Sequence, residues 1–276
     1  MLALLFGVIV GLALGLTGGG GSLFAIPLLV YGLGYSMQQA VPMSLLIVGI
    51  TSAVGVLAAL PSKRISFKPA LVFAVSGMLI TPFGIQQAMR LPQALVLMLF
   101  AVLALLIASY MWRRSLRAPE EASVVRASFM RENATALCRF SADGCFRING
   151  PCAAGLAVAG AATGFLSGLF GVGGGFLIVP ALMMITQLSI QSAVATSLLT
   201  ISAISSGGVV SSLVQGVHFD WATATPFIAG GIGGLSLGFA VAKHLSGAVL
   251  QRVFAGLIMV TAVFIILRTM HEGGML

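Results

Sequence analysis

A run of glycines interrupts an apolar stretch near the start of the chain, and a similar run returns in the second half. The first reads GLTGGGGSLFAIP, from Gly15 to Pro27, and the second reads GLFGVGGGFLIVP, from Gly168 to Pro180. Each glycine in a helix interior costs about 1 kcal/mol relative to alanine. Runs of this kind therefore predict that a membrane-buried helix is broken at both places.

Composition places the chain in a bilayer. Hydrophobic residues make up 59% of it, charged residues 7%, and the mean hydropathy is +1.11. Soluble domains carry roughly a quarter charged residues, so the chain is predicted to be a polytopic membrane protein. The first residues lack the basic region and cleavage site of a signal peptide, so we expect the first segment to be retained.

Apolar runs between turn residues predict ten helical segments. The first half has 1–17, 22–35, 38–60, 67–89 and 92–112, and the second half has 151–170, 175–187, 189–214, 221–243 and 246–268. Segments 22–35 and 175–187 are too short to cross about 30 Å of hydrocarbon at 1.5 Å per residue. They are expected to be half-helices or arms of re-entrant hairpins. The predicted fold is all-α, with an N-terminal repeat 1–112, a basic linker 113–150 and a C-terminal repeat 151–276.

The two halves are related by an internal duplication of opposite orientation. A shift of 153 residues aligns Gly18 with Gly171 and Ser44 with Ser197. Basic residues flank the cytoplasmic ends of spans. Placing the linker in the cytoplasm puts twelve of the fourteen Lys and Arg inside and both termini outside. Such inverted-topology repeats are common in secondary transporters, whose substrate site lies at the midplane between the repeats.

The glycines are expected to have two different roles. Glycines spaced four apart predict surfaces where helices approach closely: Gly7, Gly11, Gly15, Gly160, Gly164 and Gly168. Consecutive glycines point around the whole helix, so no single packing face uses them. They form either a turn at the membrane surface or a break at membrane depth, which requires enclosure by protein or a lining of water.

A break at depth would favour an anion. The helix that follows begins with unpaired N–H groups and a positive dipole end, and Ser22 is expected to cap the first such helix. None of the six carboxylates falls within a span, whereas cation and proton carriers usually keep one there. Hydroxyls on the third segment of each half could complete the site, although such side chains often bond their own helix. The candidate substrate-binding residues are Gly18, Gly19, Gly20, Gly21, Ser22, Gly171, Gly173, Gly174, Gly175, Ser44, Thr51, Ser52, Thr196, Ser197 and Ser205.

The paired motifs resemble a known family. Each glycine motif is followed by a similar sequence, QQAVPMSLL in the first half and QSAVATSLL in the second. Together, the motifs and these sequences resemble the sulfite exporter TauE/SafE family over both halves. The resemblance implies two inverted repeats and export of small sulfur-containing anions, such as sulfite or organosulfonates like sulfoacetate. A bacterial inner-membrane location is expected, where the distribution of Lys and Arg places the linker in the cytoplasm and both termini in the periplasm.

Other functions are compatible with parts of the sequence. A channel or carrier for another small anion could use the same site. An intramembrane enzyme is less favoured, because residues 164–168 only approximate a Gly-x-Ser-Gly motif and the three histidines lie in loops, at a span end or in the tail. The seven-residue spacing of the three cysteines matches no zinc site, so no metal or cofactor is expected. The expected partners are a small anion and the lipid bilayer, without nucleic acid and with a homo-oligomer left open.

Overall fold

The structure is a computed structural model that describes most of both repeats. It covers residues 1–19, 21–62, 65–117, 150–186, 190–242, 252, 255–256, 258–263 and 265–267. The predictions for Gly20, for the linker between 118 and 149, and for residues 246–251, 253–254, 257, 264 and 268 of segment 246–268 lie outside these residues. Within them the chain is helical and has no strand, which confirms the all-α class.

Helices follow the predicted segments closely. The N-terminal repeat contains α1 (Leu2–Thr17), α2 (Gly21–Pro27), a π-helical turn (Leu28–Gly32), α3 (Met37–Ala59), α4 (Phe67–Arg90) and α5 (Gln93–Arg117). The C-terminal repeat contains α6 (Gly150–Phe170), α7 (Gly175–Ile185), α8 (Ile190–Val214) and α9 (Trp221–Ala242). Among the described residues, α3, α4, α6, α8 and α9 contain spans long and apolar enough to cross a membrane.

The first helix of the N-terminal repeat packs directly on the backbone of α9. A methyl group at Gly7 would lie 2.1 Å from the carbonyl oxygen of Phe227, and one at Gly11 would lie 1.9 Å from that of Gly231. These distances are far below van der Waals contact, so only glycine fits. The contacting residue numbers rise together along both helices, which therefore run parallel.

The C-terminal repeat makes the equivalent contact with the N-terminal repeat. Its first helix, α6, lies parallel to α4, and a methyl group at Gly164 would lie 2.2 Å from the carbonyl oxygen of Gly77. At Gly168 the same distance, 2.2 Å, separates the added carbon from the carbonyl oxygen of Thr81. Both glycine stripes are thus packing surfaces, as predicted. We call these two contacts, α1 with α9 and α6 with α4, the seams. Each seam joins the first helix of one repeat to the fourth segment of the other.

Helices α3 and α8, which correspond to each other in the two repeats, cross in opposite directions. A methyl carbon at Gly49 would lie 3.0 Å from Cβ of Ser205, and one at Gly55 would lie 3.3 Å from a methyl carbon of Leu198. Residue numbers therefore rise along one helix as they fall along the other. This antiparallel crossing agrees with the inverted repeats, whose orientation in the membrane stays a prediction.

Two adjacent glycines of α9 allow a test of the close packing between α1 and α9. Gly234 faces α1, where a methyl group would lie 2.2 Å from the carbonyl oxygen of Val8, whereas at Gly233 it would meet nothing within 4 Å. We expect Gly234→Ala to destabilise the fold by about 1–3 kcal/mol, the usual cost of overpacking. Gly233→Ala should be neutral or stabilising, because alanine favours a helix by about 1 kcal/mol. Thermal unfolding of both variants in detergent measures this, and equal melting temperatures would contradict the seam.

Candidate functional site

The two glycine breaks meet inside the protein. A methyl group at Gly19 would lie 2.1 Å from the carbonyl oxygen of Gly175, so the two backbones are in direct contact. The described residues of both breaks are buried. Irregular backbone is tolerated at membrane depth where protein encloses it, and these breaks meet that condition.

Glycine is required by the backbone conformation of the breaks as well as by their packing. Helix α1 ends at Gly18, whose φ is 72° and whose N–H donates to the Leu14 carbonyl at 2.7 Å. This is a common way to end a helix, with a glycine in the left-handed region. In the second break Gly171, Gly173 and Gly174 have φ values of 64°, 65° and 68°. Residues with a Cβ rarely adopt this conformation.

A serine from each repeat holds the break of the other. The Ser197 hydroxyl donates to the Gly18 carbonyl at 2.8 Å, and the Ser44 hydroxyl donates to the Gly171 carbonyl. The same shift of 153 residues relates both donors and both acceptors. Each hydroxyl also lies 2.8 Å from the carbonyl three residues before it, so its proton is shared between two acceptors. We call this pair of crosswise bonds the serine clasp.

Three other predicted hydroxyls are engaged elsewhere. Thr51 and Ser52 donate to carbonyls of their own helix, at 2.7 and 3.0 Å. Thr196 accepts a hydrogen bond from the Ser66 backbone N–H at 3.1 Å. All three are fully buried. The bonds of Thr51 and Ser52 are the local kind that serine and threonine often make in helices, whereas the bond of Thr196 joins the two repeats.

Ser22 does not cap α2. Its buried hydroxyl donates to the Gly19 carbonyl at 2.7 Å, whereas an N-cap side chain accepts a bond from a backbone N–H. The expectation of a cap is therefore wrong. Helix α2 begins one residue earlier, at Gly21. A methyl group there would lie 2.1 Å from the Val10 carbonyl oxygen, so α2 starts tightly packed against α1.

Two buried hydroxyls beside the second break have no partner. Within the described part of the chain, Ser205 Oγ and Ser167 Oγ are the buried side-chain oxygens without a hydrogen bond. Ser205 Oγ lies 3.2 Å from a methyl position at Gly173, and Ser167 Cβ lies 3.4 Å from one at Gly174. Leaving such a group unpaired costs about 1–3 kcal/mol.

Sequence reasoning missed Ser167 as a site residue. The sequence shows it only as the serine of the protease-like motif at residues 164–168. The signal that could have found it is its place one helical turn before the end of α6, immediately ahead of the break. Ser205 is predicted as a site residue only because it lies on the third segment of its repeat. The structure adds that its hydroxyl lies beside Gly173.

The electrostatics of the breaks come from the backbone. In the described ranges every buried polar side chain is a serine or threonine. No group of three His, Cys, Asp or Glu comes together there that could hold a metal ion. Charge at the breaks therefore comes from the helix ends, roughly half a positive charge at the N-termini of α2 and α7 and half a negative charge at the C-termini of α1 and α6.

A separate polar cluster joins the two repeats at the surface. Tyr35, which follows the π-helical turn, donates its hydroxyl to Asp220 and lies 2.9 Å from the Thr223 hydroxyl. Thr223 also donates to Asp220, at 2.8 Å. These hydrogen bonds, that of Tyr35 foremost, lower the pKa of Asp220 below its ordinary 3.8. Burial and the neighbouring carboxylate raise the pKa of Tyr35 above 10.0.

Removing the serine clasp should weaken the contact between repeats. Ser44→Ala and Ser197→Ala each remove the hydroxyl bonded to a buried break carbonyl, at an expected cost of about 1–3 kcal/mol. The control is Ser212→Ala, because the buried Ser212 hydroxyl bonds a carbonyl of its own helix at 2.9 Å. Thermal unfolding measures the difference. Losses no larger than that of Ser212→Ala would show that the clasp contributes nothing to stability.

The surface cluster predicts a dependence on pH. Because its pKa is lowered in the folded state, Asp220 stabilises the fold above its ordinary pKa of 3.8. That stabilisation is lost as the pH falls through the lowered value. Wild type should therefore melt at a higher temperature than Asp220→Asn at pH 6, and the gap should narrow as the pH falls below 3.8. Thr225→Val is the control, since its exposed hydroxyl bonds its own helix. A gap that stays constant from pH 6 to pH 3 would contradict this account.

Comparison with known proteins identifies relatives of this chain. The model of a family described as "Sulfite exporter TauE/SafE" matches residues 3–265. A "Probable membrane transporter protein" of Xylella fastidiosa is 33% identical over 270 residues, covering 95% of this chain and 93% of that protein. Another "Probable membrane transporter protein", from Bacillus subtilis, is 27% identical over 253 residues, covering 89% of each. No solved structure matches. The chain belongs to the sulfite exporter TauE/SafE family.

Proposed function

We propose that the protein is a secondary transporter that exports small sulfur-containing anions, such as sulfite or organosulfonates like sulfoacetate. The anion binds at the midplane of the membrane, between the paired glycine breaks. The observation that carries this proposal is the direct contact of Gly19 with Gly175, held by serines from opposite repeats. Family membership supports transport of such an anion.

The chemistry of the breaks suits a carrier. Backbone N–H groups and hydroxyls can hold an oxyanion through hydrogen bonds, and the ends of half-helices add a positive field. No charged side chain is buried among the described residues. Without a fixed countercharge the anion is bound weakly enough to be released on the far side.

The serine clasp opens and closes during transport in this proposal. Gly19 and Gly175 are too close for an anion to lie between them, so they must separate when substrate enters. Separation frees Ser44 and Ser197 from the carbonyls of the opposite break. Their hydroxyl protons can then turn to the oxygens of the anion. Opening first on one side and then on the other is the pattern of transporters with inverted repeats.

Catalysis is a weaker explanation for this site. A nucleophilic serine needs a base within hydrogen-bond reach. Ser167, in the protease-like motif, has no hydrogen-bond partner in the described part of the chain. Its neighbours around the second break include Thr163 and Gly174, which are not bases.

Flux into liposomes tests the proposal. The purified protein would be offered sulfite, sulfoacetate, sulfate and chloride in turn. We expect saturable flux with counterflow for a sulfur oxyanion, in wild type and in the control Gly233→Ala. We expect its loss in Gly19→Ala, which places a carbon 2.1 Å from the Gly175 carbonyl oxygen. Gel filtration confirms that each variant is folded.

Three outcomes would count against it. Flux that never saturates would assign a channel instead of a carrier. Saturable flux that survives in folded Gly19→Ala would move the site away from the breaks. No flux of any of the four anions from folded wild-type protein would refute the proposed substrate class.

A further inference from the structure

The two breaks are chemically unequal although the repeats are related. Ser167 beside the second break corresponds to Leu14 beside the first, since the same shift of 153 residues relates them. Ser205 corresponds to Ser52, whose hydroxyl is already bonded to the Gly49 carbonyl at 3.0 Å. The second break therefore has two hydroxyls without a protein partner, and their counterparts at the first break offer none.

The environment of these hydroxyls marks them as unusual. Ser167 is 1% exposed and Ser205 is 0% exposed. Buried polar side chains in native proteins are nearly always hydrogen-bonded, and the exceptions often have a function. The two exceptions lie beside successive glycines of one irregular segment, and their hydroxyls are free to donate to a ligand.

A helix end contributes donors at the same place. Helix α7 has 11 residues, begins at Gly175, and has Gly174 as an N-cap without a side-chain hydrogen bond. The first N–H groups of a helix lack acceptors within it and carry the positive end of the dipole. Ser205 lies against Gly173 and Ser167 against Gly174, the two residues that lead into this first turn.

Aliphatic side chains also border the breaks, and one of them lies beside the Ser205 hydroxyl. Leu14 is fully buried, and its Cβ lies 2.7 Å from a methyl position at Gly21 in the first break. Val48 is also fully buried, and one of its methyl carbons lies 3.2 Å from a methyl position at Gly173. These side chains offer no hydrogen bond to a ligand.

We propose that Ser167, Ser205 and the first turn of α7 bind the oxygens of the transported anion, and that its carbon end lies toward Leu14 and Val48. This inference rests on the proposed function and narrows its substrate class to organosulfonates. A sulfonate has oxygens at one end and carbon at the other, so it matches a site that offers both hydroxyls and aliphatic carbon. Sulfite would present polar atoms to Leu14 and Val48, where they lose hydrogen bonds to water without replacement.

Transport kinetics in liposomes test the inference. The probes are ethanesulfonate and sulfite, measured for wild type, Ser167→Ala, Ser205→Ala and the buried control Ser212→Ala. Wild type should have the lower KM for ethanesulfonate. Each of the first two variants should raise that KM by about tenfold, the range for losing a hydrogen bond to a charged group. Ser212→Ala should stay within about twofold, because its hydroxyl serves its own helix.

Melting temperatures give an independent readout. Because the Ser167 and Ser205 hydroxyls have no partner to lose, both alanine variants should melt at or above wild type without anion. Ethanesulfonate should raise the melting temperature of wild type and of Ser212→Ala, and this rise should be much smaller in the two variants. Ser167→Thr, which keeps a hydroxyl, should restore the rise.

The failures of the two proposals are distinguishable. Preference for sulfite over ethanesulfonate, or variants that behave like Ser212→Ala, would overturn the inference and leave anion transport standing. Wild type that neither carries nor is stabilised by either anion would overturn both.

Discussion

Direct contact between helix backbones of different repeats is the constraint on which the rest of the structure depends. In a bilayer, lipid tails are as apolar as leucine, so helices associate through close packing and hydrogen bonds. The seams α1–α9 and α4–α6 achieve that packing with glycines that face carbonyl oxygens. Because each seam joins one repeat to the other, neither repeat has a complete interior alone.

The site follows from the seams. Helix α1 ends at Gly18 and α6 ends just before Gly171, so holding these helices in place brings their two breaks together. Once the breaks meet, their carbonyls lie within reach of serines on α3 and α8, which cross antiparallel between them. The packing of helices between repeats therefore determines which hydrogen bonds form at the breaks.

Sequence reasoning recovered the elements better than their contacts. Helical segments and glycine stripes could be predicted because hydropathy and four-residue spacing are local patterns. The break glycines were identified, but not that Gly19 would meet Gly175. The partners of Ser44 and Ser197 could not be predicted either, since their acceptors lie 127 and 179 residues away along the chain. Ser167 and Leu14 occupy equivalent places with opposite chemistry, and only the three-dimensional surroundings show why that difference matters.

The seam between α1 and α9 has a consequence for how the protein is made. Helix α1 is synthesised before α9, the helix on which its glycines pack, and α9 ends at Ala242. At a synthesis rate of about 5–20 residues per second, the ribosome needs roughly 10–45 s to complete α9 after α1. During that interval the glycine face of α1 has no partner within its own chain. The insertion machinery or the surrounding lipid must shelter an unfinished helix until translation of the second repeat is nearly complete.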